Sequence, residues 1–482
     1  MVNFRVIARI FSLVLIFEGL FMLLSAAVSF LFEEQSAIRV LLSAIITIVT
    51  GILVFTPLRN EEKLSGYKEG YIIITGIWLI LSLFGTLPFL LSGSIKDFGN
   101  AFFESISGFT TTGATILTDI ESLPHGVLFW RSLTQWIGGI GFILISLSLI
   151  PVVRSINVQL TLTDFTGQTT EKINPRVSSS AIRMITLYTA FTLAEAVLLT
   201  ISGMPLFDAI CNSFSTMSTG GFTTGDNSMS SFGSPPVLII LTLFMFAAGT
   251  NMTLVYFAVR NNFRKAINNH EFIFYAAICL IFALIASAAL LVKPGIGAGR
   301  AFLEGTFQVV SVITTTGFYH SDYNQWGSLL VLLLFLLMFT GGTSGSPSGS
   351  LKIIRLLLTT KNARHEMRRM IHPNAFIPVR MDRKMIPHTI VHNVVIFISL
   401  YFVTICVSSL VISFMGYDFI TSFSTSAALL GNIGPALGSF GPYSNYASVP
   451  MAGKWFFAFL MLLGRLELLS VLTFFTRDFY RR

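Results

Sequence analysis

The sequence predicts an all-α integral membrane protein in which four fused units, each a span, a pore half-helix and a second span, surround a single pore. Three observations support this class: an apolar composition, ten long apolar runs, and four shorter apolar runs with glycine-rich tails. Of the 482 residues 53% are hydrophobic and 11% are charged, and the mean hydropathy is +0.75. A soluble domain carries about 25% charged residues. Soluble, disordered, collagen-like and coiled-coil classes are therefore excluded.

Ten apolar runs are predicted to span the membrane, because about 20 helical residues cross its hydrocarbon core. They lie near 6–32, 36–58, 70–92, 125–153, 181–203, 235–260, 271–293, 327–358, 388–415 and 453–476. The first run is too long for a signal-peptide core and has no small-residue cleavage site, so it counts as a span. The predicted units are two extra N-terminal spans (1–68) and four pore repeats (69–155, 156–262, 263–385 and 386–482).

Basic residues collect on one side of these spans, which sets the predicted orientation. The basic segments hold Arg5, Arg9, Arg59, Lys63, Lys68, Arg154, Lys172, Arg176, Arg183, Arg260, Arg264, Lys265, Lys361, Arg364, Arg368, Arg369, Arg380, Arg383, Lys384, Arg477, Arg481 and Arg482. Both termini are therefore predicted to be cytoplasmic. The formal net charge of +8 is interpreted as basic loops at a membrane surface, and no nucleic-acid partner is expected.

The three cysteines, Cys211, Cys279 and Cys406, lie in or beside apolar segments and lack metal-ligand spacing. They predict neither a disulfide framework nor a zinc site.

Four outer loops share one pattern: an apolar stretch too short to cross the membrane, then a tail rich in Thr, Ser and Gly. Their sequences are NAFFESISGFTTTGAT (100–115), DAICNSFSTMSTGGFTT (208–224), EGTFQVVSVITTTGFYH (304–320) and DFITSFSTSAALLGNIGPAL (418–437). The residues that open them, Asn100, Asp208, Glu304 and Asp418, suit helix N-termini. Each stretch therefore predicts about three helical turns that stop at glycine. An alternative is that four re-entrant loops only pack the helix bundle.

This pattern suits the coordination of a cation. Non-helical backbone at membrane depth persists only where it lines a cavity or is buried in protein. A half-helix that enters from outside directs its partly negative C-terminal end inward. The extended tail that follows can direct carbonyl oxygens at a common axis, where they replace the hydration shell of an ion.

Several longer motifs resemble TrkH-type potassium uptake subunits of the superfamily of K⁺ transporters. The matching pieces are FTTTGAT (109–115), RSLTQWIGG (131–139), STGGFTT (218–224), TTTGF (314–318), a glycine-rich break (341–350), GNIGP (431–435) and MLLGRLELL (461–469). The resemblance covers essentially the whole chain. It implies K⁺ as the transported ion, a homodimer in the cell inner membrane, and a cytosolic TrkA-type regulatory subunit that carries the only nucleotide site.

The resemblance also implies which residues form the selectivity filter. These are Thr110, Thr111, Thr112, Gly113, Ser218, Thr219, Gly220, Gly221, Thr314, Thr315, Thr316, Gly317, Gly431, Asn432, Ile433 and Gly434. In the fourth loop, counting without gaps from Asp418 favours Gly431, whereas the family pattern favours Gly434. Glycine in all four loops favours K⁺, since serine at the first filter glycine accompanies sodium transport in plant relatives. These residues alone do not exclude Na⁺ permeation.

The stretch GGTSGSPSGS at 341–350 interrupts the eighth span, where glycine and proline weaken a helix. We interpret it as an intramembrane gate loop that involves Gly341, Gly342, Gly345 and Gly349. The alternative is a fixed kink. Pro347 and the serines depart from the family's more glycine-rich loop, which predicts a stiffer segment.

Arg465 lies about twelve residues from each end of the tenth span, too deep for its charge to reach water easily. The first hypothesis is a cation in the permeation path below the filter, where it opposes K⁺ passage. The second is a structural partner of a distant carboxylate or of backbone carbonyls.

Two other functions compete with an ion pore. Residues 342–345 match the G-x-S-G of intramembrane serine proteases, but His388 and His392 lie at the start of a span, not deep within it. A secondary transporter with an inverted repeat would show two repeats, not four of one orientation. The sequence does not separate passive conduction from coupling to H⁺ or Na⁺, although Glu18, Glu195 and Glu467 lie at membrane depth.

Overall fold

A computed structural model describes residues 3–59, 67–154, 177–260, 262–374, 377–382, 384–473 and 476–477. Some predicted features lie outside these ranges: Lys63, Lys172, Arg176, Arg383, Arg481, Arg482 and the boundary between the first two repeats.

The described chain is almost entirely helical. Its helices are α1 Phe4–Leu31, α2 Ala37–Phe55, α3 Tyr67–Phe84, α4 Leu87–Ser92, α5 Phe98–Phe109, α6 His125–Arg154, α7 Val177–Ile201, α8 Leu206–Met217, α9 Pro235–Ala248, α10 Met252–Val259, α11 Phe263–Ile267, α12 His270–Leu291, α13 Ala298–Ile313, α14 Ser328–Leu337, α15 Ile353–Ile371, α16 His388–Phe414, α17 Phe419–Leu430, α18 Met451–Arg465 and α19 Leu468–Leu472. Short 3₁₀ turns lie at Thr56–Leu58, Ser228–Phe232, Tyr323–Trp326 and Gly438–Phe440. The basic loop before α16 also contains an antiparallel ribbon, β1 Arg380–Met381 with β2 Lys384–Met385.

Seven helices in the described ranges are long and apolar enough to cross a membrane, or eight if α9 and α10 form one span. The sixth predicted span is bent by 112° between α9 and α10. The eighth is divided into α14 and α15, and the tenth into α18 and α19. Only the second of these three interruptions was expected, and it extends over 338–352, beyond the predicted 341–350.

The two N-terminal helices pack closely against each other and against the helices that follow them. Helix α1 lies along α2 and also contacts α3 and α6. The Glu34 carboxylate in the α1–α2 turn accepts hydrogen bonds from the backbone N–H groups of His125 and Gly126 at the start of α6. A carboxylate is favourable there because the first N–H groups of a helix lack partners within the helix.

Four short helices, α5, α8, α13 and α17, each precede one of the glycine-rich tails. Asp97 caps α5 by accepting from the N–H of Asn100 at 2.9 Å, and Asp418 caps α17 by accepting from the N–H of Thr421 at 3.3 Å. The expected start at Glu304 is wrong, because α13 already begins at Ala298. The expected starts at Asn100 and Asp208 are each wrong by two residues, since the chain is helical from Phe98 and from Leu206.

Candidate functional site

The four tails repeat one unusual backbone conformation. The first residue of each tail is a right-handed cap, with φ of −75° at Thr110, −78° at Ser218, −77° at Thr314 and −80° at Gly431. The second is left-handed, with φ of 54° at Thr111, 54° at Thr219, 58° at Thr315 and 52° at Asn432. The fourth is a left-handed glycine, with φ of 78° at Gly113, 80° at Gly221, 79° at Gly317 and 92° at Gly434. Left-handed threonine is strained, so its occurrence in three of the four tails, with asparagine in the fourth, indicates a shape that the surrounding structure imposes.

The tails lie side by side in a closed ring. A Cβ atom added to Gly113 would overlap the carbonyl oxygen of Gly220 in the second tail. In the same way Gly221 faces Thr316 O, Gly317 faces Ile433 O, and Gly434 faces Thr112 O. Each glycine thus adjoins the third-position carbonyl of the next tail, and the fourth tail returns to the first.

The backbone also distinguishes the two glycines of the fourth tail. Gly434 has the left-handed φ and the ring contact that Gly113, Gly221 and Gly317 have. Gly431 is the right-handed cap of α17, equivalent to Thr110. Asn432 occupies the place of Thr111, and Ile433 that of Thr112.

Threonine hydroxyls link residues within and between tails. The hydroxyls of Thr110 and Thr112 lie 2.8 Å apart, as do those of Thr314 and Thr316. Asn432 Nδ2 donates to Thr112 Oγ1 and to the carbonyl of Met461, both at 2.9 Å. The side chain that replaces threonine in the fourth tail therefore joins that tail to the first tail and to α18.

A buried ion pair lies at the end of the ring where the chain continues beyond the glycines, and it stabilises that end. Arg131 Nε donates to Glu104 Oε1 at 2.7 Å, and both side chains are buried. Glu104 also accepts from the N–H of Ile116 at 3.0 Å, after the first tail. Arg131 Nη1 donates to the Thr223 carbonyl at 2.8 Å, after the second tail. The sequence analysis missed this pair, although Arg131 opens the RSLTQWIGG motif.

The segment 338–352 lies at the opposite end of the ring, where the short helices finish. The N–H of Gly349 donates to Thr315 Oγ1 at 2.8 Å. A Cβ on Gly349 would overlap the carbonyl oxygen of Gly431. The predicted gate loop therefore contacts both the third and the fourth tails.

Residues around the bend between α9 and α10 hold the first half of this segment. The N–H of Thr343 donates to the Gly249 carbonyl at 2.9 Å, and Asn251 Nδ2 donates to the Ser344 carbonyl at 2.6 Å. The buried Glu271 carboxylate of α12 accepts from the N–H of Ser344 at 2.6 Å. Sequence reasoning treated 235–260 as one unbroken span. Gly249 and Asn251 were the signal, because glycine ends helices and asparagine caps them.

Two buried cations hold the second half. Lys352 Nζ donates to the carbonyls of Ser346 at 2.9 Å and Ser348 at 2.5 Å. Arg465 Nη1 donates to the carbonyl of Pro347 at 2.6 Å, and Nη2 to that of Gly138 in α6 at 3.0 Å. Its guanidinium also lies over the Phe142 ring, 4.4 Å from the centroid. Lys352 was not singled out from the sequence as a part of the gate.

A cavity lies between the segment, α15 and the break after α18. Its lining includes Lys352, Arg355, Arg465 and Glu467. Glu467 has a left-handed φ of 57° and accepts from Arg355 Nη2 at 2.8 Å. The carboxylate close to Arg465 in sequence is thus paired with a different arginine. Within the described part of the chain, the Arg465 side chain donates its hydrogen bonds to backbone carbonyls.

Known proteins resemble this chain in both fold and sequence. The family described as "TrkH: Cation transport protein" matches residues 36–480. The chain belongs to the TrkH family of cation transport proteins.

TrkH relatives align with the chain from end to end. The Trk system potassium uptake protein TrkH of Salmonella typhimurium is 34% identical over 483 residues, which cover 99% of this chain and 100% of the relative. The protein of the same name from Escherichia coli strain K12 is 33% identical, with the same coverage. The crystal structure of the potassium transporter TrkH from Vibrio parahaemolyticus superimposes with a TM-score of 0.91 at 31% identity, and the match covers 99% of this chain and 100% of that one.

TrkH proteins are transporters and not enzymes, which confirms the prediction that this chain is not an enzyme. The G-x-S-G match has a structural explanation within the described ranges. The N–H and carbonyl of Ser344 bond to Glu271 and Asn251, and neither His388 nor His392 is a partner of Ser344.

Proposed function

We propose that this protein takes up K⁺ through a pore whose selectivity filter is the ring of four tails. The closed cycle of glycine-to-carbonyl contacts is the observation that carries this proposal. Backbone carbonyls around one axis can replace the hydration shell of a potassium ion. The names of the relatives support K⁺ as the ion, since they are described as potassium uptake proteins.

The architecture proposed for this function has ten membrane spans, with α5, α8, α13 and α17 as pore half-helices. Each half-helix ends at the ring, so the partly negative ends of four helices converge on the ion. The bent or divided spans then count as single crossings. The four fused units follow from the four repetitions of helix, short helix, tail and helix.

The proposed gate is the segment 341–350 together with Arg465. The contacts of Gly349 with two of the tails support this proposal, since those tails belong to the proposed filter. Arg465, and with it Lys352, holds the segment through carbonyls and adds positive charge to the path. A cation that leaves the filter on this side meets both obstacles.

The regulatory setting follows from the family resemblance. We expect a homodimer in the cell inner membrane, with both termini cytoplasmic and a TrkA-type subunit that carries the nucleotide site. The Lys/Arg distribution along the sequence supports this orientation.

Among the described residues no group of His, Cys, Asp and Glu forms a metal cluster, which is compatible with an ion held by backbone carbonyls.

The test is ion flux in proteoliposomes that contain the purified protein. We expect K⁺ flux to exceed Na⁺ flux and to respond to Gly113→Ser. A protein that carries Na⁺ as well as K⁺ would support the alternative of a sodium-permeable transporter of the same fold. Dependence of K⁺ flux on an imposed H⁺ or Na⁺ gradient would identify a symporter.

A further inference from the structure

Two side chains donate hydrogen bonds to carbonyls of the ring, and they break its fourfold equivalence. Gln135 Nε2 donates to the Gly220 carbonyl at 2.6 Å. Tyr446 Oη donates to the Gly434 carbonyl at 2.8 Å. Within the described ranges, the other third- and fourth-position carbonyls of the ring, those of Thr112, Thr316, Ile433, Gly113, Gly221 and Gly317, accept from no side chain.

The two bonded carbonyls belong to opposite tails. The ring runs from the first tail to the second, third and fourth, so the second and fourth face each other. Gly220 lies in the third position of its tail and Gly434 in the fourth position. A cation held between these two layers would therefore meet one tethered carbonyl on each of two opposite sides.

A second hydrogen bond and the steric fit at Gly220 both fix the orientation of the Gln135 amide. Gln135 Oε1 accepts from the N–H of Phe222 at 3.0 Å, so the amide nitrogen must face the carbonyl of Gly220. A Cβ on Gly220 would overlap this amide, whereas the equivalent residues are Thr112, Thr316 and Ile433. Glycine at position 220 thus makes room for the donor.

The Tyr446 contact is equally constrained. Its ring is stacked on Phe440 at 4.6 Å between centroids, and its N–H donates to the carbonyl of Thr115 at 2.8 Å. The residue is 2% exposed. The hydroxyl therefore holds a fixed position next to the Gly434 carbonyl oxygen.

We propose that Gln135 and Tyr446 are positioning residues that tune ion preference by tethering two filter carbonyls through hydrogen bonds to their oxygens. This inference rests on the proposed filter. A tethered carbonyl shares its electron density with its donor and resists movement towards the axis. Both effects disfavour the smaller ion, because Na⁺ needs a stronger field and a tighter ring than K⁺.

Tyr446→Phe is the decisive variant, since it removes one hydroxyl and keeps the ring. We expect the ratio of K⁺ to Na⁺ flux to fall about three- to tenfold, the range that corresponds to one net hydrogen bond. Gln135→Met, which removes the amide at similar length, should lower the ratio in the same direction.

Tyr323→Phe is the matched control. Tyr323 is also 2% exposed, and its hydroxyl donates to the Ala436 carbonyl at 2.9 Å, two residues beyond Gly434. We expect this variant to keep the flux ratio of the unmodified protein. If both variants lose thermal stability to the same extent and both keep the K⁺/Na⁺ flux ratio of the unmodified protein, Tyr446 has only a structural role and the inference is wrong.

Gly113→Ser in the same assay separates this inference from the proposed filter. A ratio that changes in Gly113→Ser but not in Tyr446→Phe overturns the tethering and leaves the filter in place. A ratio unchanged in both folded variants overturns the filter and the tethering together.

Discussion

Arg465 and Pro347 are joined by a hydrogen bond of 2.6 Å from Nη1 to the Pro347 carbonyl, although 118 residues separate them. The second amino group of Arg465 reaches Gly138 in the first repeat. One side chain at the end of α18 thus links the proposed gate segment to α6. Pro347 lacks an N–H but keeps its carbonyl, so the residue expected to stiffen the segment also provides the bonding point for Arg465.

Arg465→Ala should increase K⁺ flux several-fold with little change in K⁺/Na⁺ preference. A fixed positive charge beside the permeation path repels a passing cation, and water around the ion screens much of this repulsion. The variant removes this repulsion and releases the Pro347 carbonyl. Proteoliposome flux and thermal stability should be measured together.

Arg465→Lys is the control, because it keeps the charge but cannot reproduce two divergent N–H donors. We expect its flux to lie between those of the unmodified protein and Arg465→Ala. Arg465 donates its hydrogen bonds to carbonyls, so among the described residues no buried carboxylate loses its partner in Arg465→Ala. A folded Arg465→Ala protein with unmodified flux would place this residue outside the permeation path.

Lys352→Met should raise flux by loosening the gate segment. Lys352 Nζ holds the carbonyls of Ser346 and Ser348, and methionine retains the stem without the donors. Deletion of residues 345–349 should raise flux further, because it removes those carbonyls and that of Pro347. Lower flux in folded protein would instead identify the segment as a structural kink.

Gly113→Ser should admit Na⁺ and weaken K⁺ preference. Its φ of 78° and its contact with the Gly220 carbonyl leave no room for a side chain without a shift of the ring. Gly416→Ser is a matched control, since Gly416 also has a left-handed φ, 98°, but would meet nothing within 4 Å. An equal change of selectivity in both variants would point to general strain.

Gly434→Ala should impair selective flux more than Gly431→Ala. Gly434 is left-handed, where a Cβ costs about 1 kcal/mol or more, and it adjoins the Thr112 carbonyl. Gly431 has a right-handed φ of −80°, which alanine adopts readily, although its Cβ would lie 2.8 Å from the Ala427 carbonyl oxygen within the same tail and helix. The K⁺/Na⁺ flux ratios of the two variants test which of these glycines belongs to the filter. A larger effect at Gly431 would assign that residue to the filter in place of Gly434.

Arg131→Leu should destabilise the protein by about 3–5 kcal/mol, since it leaves the buried Glu104 carboxylate without its cation. Arg131→Leu combined with Glu104→Leu should recover part of this loss. Thermal unfolding in detergent measures both. Glu366 and Arg369 offer a control pair, because their side chains are 49% and 29% exposed and an exposed pair contributes about 0–1 kcal/mol.

The amino-acid sequence by itself determined the class, the approximate span positions and the four tails. The local sequence was sufficient for these features, because a bilayer requires long apolar helices and each tail carries its own glycine. The TrkH resemblance was also available from local motifs such as RSLTQWIGG, and the family match confirms it.

The tertiary structure decided which groups meet. In sequence Glu467 lies two residues from Arg465, yet it pairs with Arg355 from another repeat. Gln135 lies 85 residues from the carbonyl it binds. Gly431 and Gly434 are both plausible in the sequence, and only the left-handed φ and the ring contact distinguish them. The physical reason is that hydrogen bonds between repeats depend on how the helices pack around a common axis, and a linear pattern does not contain that arrangement.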